Sequence, residues 1–162
     1  MFILHNYAES PYAEKIRAML GYTGLEWQSV DVPPQPPRPS LDPVLGGYRR
    51  IPVVQVGADY LCDTRLIATE IANRADDPSL DHTNADAAAT AFIDKAEGDL
   101  FFASIVAAPK GKMLGKMLMK RGLGIVKFMK DRAGASQEGG LGDFNPKDAK
   151  PMWQAHLQEL ET

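Results

Sequence analysis

The sequence predicts an α/β domain, ordered strand-helix-strand and then hairpin-helix, followed by an all-helical domain. The short apolar run Phe2–Leu4 gives way to a helix start at Ser10-Pro11, two strand-like runs meet at Gly57-Ala58, and strand-like segments cease after about residue 83. The expected divisions are 1–75 for the first domain, 76–82 for a linker and 83–162 for the helical domain.

Each element has a local cause. Phe2-Ile3-Leu4-His5 is an apolar run ended by Asn6, the pattern of a buried strand. Ser10 is a favourable N-cap because its hydroxyl accepts from an otherwise unpaired backbone N–H, and Pro11 fits the first helical position, where a missing N–H costs nothing. That helix end offers exposed amides and partial positive charge to an anion. The helix is expected to reach about Tyr22, with Tyr12, Ile16, Met19 and Leu20 at helical spacing and Gly21 and Gly24 as stops. Glu26 to Val32 is expected to be a second strand, parallel to the first if both share a sheet.

Residues Pro33 to Pro39 hold five prolines, which remove five donors and keep the backbone near the polyproline conformation, so this stretch is expected to be a stiff, exposed connector. A turn of helix over Ser40 to Leu45 ends at Gly46-Gly47. Ile51 to Val56 and Asp59 to Cys62 read as an antiparallel hairpin, with Pro52 tolerated at the strand start. Asp63-Thr64 is a second N-cap signal, opening a helix that carries Leu66, Ile67, Glu70, Ile71 and Arg74 and closes at Asp76 to Ser79.

Beyond the expected linker, Thr83 with Asp86 resembles a capping box for one long helix to about Ala108, with Ala85, Ala89, Phe92, Ala96, Leu100 and Ala103 on one face. Lys110 to Arg132 sets eight basic residues against the single acid Asp131 and reads as a solvated basic face. Ala133 to Asn145 is a glycine-rich loop that does not follow a strand, which makes it a poor phosphate loop. Helical spacing resumes at Pro146 and is still running at Thr162, so the chain is expected to be the front part of a longer one.

Composition narrows the function classes. The 162 residues are 44% hydrophobic and 24% charged, which is globular composition. A net charge of −3 supplies no electrostatic ground for a nucleic-acid partner. Cys62 is the only cysteine, which excludes an internal disulfide, a Cys-x-x-Cys redox pair and a cysteine-rich zinc site, and no metal is expected. The first residues lack the basic start and the apolar run that a signal peptide needs, no run approaches the roughly 20 residues of a membrane span, and the expected location is cytoplasmic.

Taken in order, Ser10-Pro11-Tyr12, Ile51-Pro52-Val53 and Asp63-Thr64 resemble the motifs of glutathione transferases. The resemblance covers residues 1 to about 74 and implies a thioredoxin-like glutathione-binding domain. It places Ser10 in the catalytic Ser-Pro-aromatic motif, with Tyr12 as its aromatic. It makes Pro52 cis, with the Ile51 backbone pairing with the cysteinyl part of glutathione. It sets Asp63 and Thr64 at the γ-glutamyl carboxylate, with Thr standing where Ser is more usual. The proline-rich connector departs from the family where a group often contacts the glycyl carboxylate, a role open to Arg49 or Arg50. Implied partners are glutathione as co-substrate, a small electrophile in a detoxification reaction and a second copy in a homodimer. A non-catalytic binding or scaffold protein of the same fold is the alternative. Met113, Phe102 and Tyr12 are candidates for lining an electrophile pocket, and core packing explains each equally well. Cys62 reads as a buried packing residue.

Overall fold

The computed structural model describes residues 1–107, 119 and 147–160. Apart from Met119, the basic segment Lys110 to Arg132 with Met113 lies outside the described residues, as do the glycine-rich loop and the Phe102 side chain. The chain divides into two compact units, Met1–Asp86 and Ala87–Thr162.

The first unit holds a four-stranded sheet in the order β2-β1-β3-β4, formed by β1 (Phe2–Asn6), β2 (Trp27–Asp31), β3 (Val53–Val56) and β4 (Asp59–Cys62). β1 and β2 are parallel, with Leu4 opposite Ser29, while β3 runs antiparallel to both β1 and β4. The parallel pair needs a crossover, which α1 (Pro11–Thr23) supplies before stopping at Gly24 with φ 65°, a left-handed conformation that glycine adopts without steric cost. α2 (Thr64–Ala75) follows β4 directly.

Alternation along the strands sorts the side chains onto two faces. Phe2, Leu4 and Val54 meet Ile16 and Leu20 of α1 and Ile67 and Ile71 of α2 in one core. Each such side chain contributes about 1.5–3 kcal/mol on burial. A second cluster joins Val53 to Tyr7, Val32, Leu41, Leu45 and Ile51, so the connecting segment 32–51 covers one end of the opposite face. The stripe expected on α2 is rotated: Ile67, Ala68, Ile71 and Ala72 are buried, while Leu66 is 51% exposed.

Three further expectations change. The proline-rich connector is not simply an exposed spacer, because Arg38 within it is 1% exposed. Residues 76–82 are not a free linker either. 3-10 turns at Pro78–Leu80 and His82–Asn84 pack on α2, and Thr69 Oγ1 donates to Asp81 Oδ1 at 3.1 Å. Hydrogen bonds from the Thr83 backbone and side chain and from Thr69 hold the Asp81 carboxyl below its ordinary range, the backbone bond contributing most.

The long helix expected from residue 83 is two, α3 (Ala87–Glu97) and α4 (Asp99–Ala107), interrupted at Gly98, a residue of low helix propensity. Ala85 precedes α3, Phe92 is half-exposed, and Leu100 and Ala103 of the expected face are buried. α4 packs against α5 (Ala149–Leu160), and the Lys95 ammonium donates to Glu159 at 2.7 Å. His156, buried on α5, lies 5.9 Å from the Phe92 ring.

Candidate active site

Register brings three chain segments to one end of the sheet. His5 pairs with Val53 and Val53 with Cys62, so β1 ends, β3 begins and β4 ends side by side. The segments that continue from those points carry Ser10, Ile51-Pro52 and Asp63-Thr64.

Ser10 is the N-cap of α1. It is 2% exposed, and its hydroxyl oxygen accepts from the Ala13 N–H at 3.2 Å. That bond occupies a lone pair and leaves the hydroxyl hydrogen for another acceptor. The turn before Ser10 is held by Arg17, which donates to Asn6 Oδ1 at 2.5 Å and to the Ala8 carbonyl at 3.2 Å while paired with Glu14. Tyr12, on the first turn of α1, is partly buried.

The Ile51–Pro52 peptide bond is cis, as the resemblance implied, and both residues are buried. Pro52 lies just before β3, so the strand itself starts at Val53 and not at Ile51. Arg49 and Arg50 are exposed on the preceding segment.

Asp63 caps α2, accepting from the Arg65 N–H at 2.8 Å, with its backbone at φ 81° and ψ 129°. A non-glycine residue held there is strained by about 1–3 kcal/mol, and such residues concentrate at ligand sites. Thr64 is the first helical residue, partly buried.

Sequence reasoning overlooked Tyr48. Its ring packs on the cluster of Ile51 and Val53, and its phenol lies within electrostatic reach of Asp63. Burial raises its pKa, the Asp63 and Cys62 charges add to the rise, and the Asp63 backbone N–H and Arg50 oppose it. An isolated tyrosine in a Gly-Gly-Tyr-Arg-Arg stretch carries no periodicity that would reveal this contact. Cys62 is half-buried and not fully buried as expected, and burial followed by the Asp63 charge pushes its thiol up, which leaves it a poor thiolate. Among the described residues no group of three or more His, Cys, Asp or Glu side chains forms a metal site, and no helix is long and apolar enough to cross a membrane.

The β1-α1-β2 crossover, the β3-β4 hairpin, a cis proline before β3 and a helix after β4 define a thioredoxin-like domain. Residues 4–79 match the family described as Glutathione S-transferase, N-terminal domain, and this domain belongs to the glutathione S-transferase family. A GST-like protein from Pseudomonas syringae is 28% identical, with a TM-score of 0.54, over 92% of this chain and 54% of that protein. The chain therefore spans about half the length of that relative. A glutathione S-transferase from Methylobacillus flagellatus, solved with GSH bound, is 21% identical with a TM-score of 0.56, over all of this chain and 71% of that one, a likeness of fold. A search of curated proteins finds none that matches.

Proposed function

We propose that this protein is a glutathione transferase in which Ser10 stabilises the thiolate of bound glutathione for attack on a small electrophile. The observation that carries the reading is the Ser10 hydroxyl: it caps α1 as an acceptor, so its hydrogen is available at a helix N-terminus. The family assignment supports a glutathione-related function.

The magnitudes are sufficient. An ordinary thiol has a pKa of about 8.5, and lowering it by two units needs about 2.7 kcal/mol of preference for the anion. One hydrogen bond to a charged acceptor supplies about 1.5–3 kcal/mol. A partly buried helix N-terminus adds up to about 2 kcal/mol. The thiol proton goes to solvent, the sulfur lone pair forms the new bond to the electrophilic carbon, and the displaced group leaves with its electron pair. In this reading the Ile51 backbone pairs with the cysteinyl unit beside cis Pro52. Asp63 and Thr64 receive the γ-glutamyl end, and Arg50 is the group assigned to the glycyl carboxylate. Tyr12 flanks the sulfur.

Conjugation of glutathione to a broad electrophile tests this. Ser10→Ala is expected to lower kcat/KM by about 10- to 100-fold, the value of the lost charged hydrogen bond. Equal rates in variant and wild type remove Ser10 from the mechanism. Glutathione binding by calorimetry without turnover of any electrophile would favour the scaffold alternative.

A further inference from the structure

The side chain of Arg38 is fully buried inside the proline-rich connector. Its Nε donates to the Pro33 carbonyl at 2.9 Å, and Nη2 donates to the carbonyls of Pro34 at 3.2 Å and Arg49 at 2.8 Å. Nη1 lies 3.3 Å from Asp42 Oδ1, and the Arg38 backbone N–H donates to Asp42 Oδ2 at 2.6 Å. A buried cation is costly unless it is paired and its donors are used, and here one carboxylate and three carbonyls meet both conditions. The Pro33, Pro34 and Asp42 contacts close the connector on itself. The bond to Arg49 does something else, because it reaches eleven residues along the chain to the segment that leads into Ile51-Pro52.

We propose that Arg38 is a positioning residue for glutathione binding, acting through the Arg49 carbonyl to fix the path of residues 49–52. The proposal rests on the glutathione reading above. Only two peptide units separate the Arg49 carbonyl from Ile51, and each peptide plane is rigid, so anchoring that oxygen limits where the Ile51 backbone can stand. A segment held in place before the ligand arrives avoids the ordering cost of binding. The planar guanidinium is suited to this, since it serves several carbonyls at once, whereas lysine offers a single point of attachment. Arg38 itself touches no reacting atom, and Ser10 stands on a different segment. Its loss therefore weakens binding of glutathione and leaves thiolate formation in place.

The experiment compares wild type, Arg38→Met and Arg38→Lys in the full chain, by glutathione-dependent kinetics and by amide hydrogen exchange of residues 50–53 without ligand. Arg38→Met is expected to raise KM for glutathione by about tenfold or more while kcat changes less than about twofold and keeps its pH profile, the signature of lost uniform binding. Exchange at 50–53 is expected to quicken, with Arg38→Lys between the two. A folded Arg38→Met with unchanged KM overturns the positioning role and leaves the functional reading intact. Wild type that binds no glutathione by calorimetry overturns the functional reading and this proposal with it. Failure of both variants to fold assigns Arg38 a purely structural role and overturns the proposal.

Discussion

At His5 the chain buries an imidazole in the strand that leads to Ser10, 8% exposed and 6.0 Å from the Tyr60 ring. Neither ring nitrogen makes a hydrogen bond of good geometry among the described residues. Burial lowers the His5 pKa, and the nearby Gln55 side chain offsets this only in part. The folded protein thus binds fewer protons at this site than the unfolded chain does. Stability is complete above the unfolded histidine pKa of about 6.5 and is lost as pH falls through the lowered native value. Urea unfolding at about pH 7.5 and about pH 5.5 should show wild type weakening at the lower pH and His5→Leu weakening less. Parallel losses in the two proteins would assign the pH dependence to other groups.

Among elements, α2 shows how a site is held by local bonds. Its cap, Asp63, bonds a backbone N–H two residues ahead while keeping a φ that favours glycine. Glycine at a cap costs only a few tenths of a kcal/mol, and relief of the strained backbone returns about 1–3 kcal/mol. Asp63→Gly is therefore expected to melt at or above the wild-type temperature and yet bind glutathione more weakly, which calorimetry alongside thermal unfolding reads directly. A clear drop in melting temperature would show that the Asp63 carboxylate stabilises the fold more than its backbone strains it. Such caps span two or three residues, which is why Ser10 and Asp63 were legible in the sequence. The stripe on α2 was not, because spacing permits both Leu66 and Ile67 and only the approach of the sheet selects Ile67, Ala68, Ile71 and Ala72. Arg38 was hidden for a similar reason: its decisive acceptors are main-chain carbonyls, and the one on Arg49 is brought near by folding. Gly98 was visible as a residue, but the neighbouring apolar spacing runs straight through it.

For the whole molecule, the two tryptophans report on different parts of the chain, Trp27 in β2 of the first unit and Trp153 in α5 of the second. Every residue assigned to glutathione lies within Met1–Asp86. A ligand that binds only the native state stabilises it by mass action, by about 2.7 kcal/mol at a free concentration of 100 times Kd. Single-tryptophan variants, Trp27→Phe and Trp153→Phe, separate the two signals during urea unfolding. Glutathione is expected to move the transition seen by Trp27 in the Trp153→Phe protein by about that amount, with a midpoint shift equal to the stabilisation divided by the denaturant slope. Because Ser10→Ala removes the proposed bond to the sulfur but leaves the other proposed contacts, its shift should be smaller and still present. A shift confined to the Trp153 signal would place glutathione outside the first unit and contradict the assignment of Ser10, Ile51 and Asp63 together.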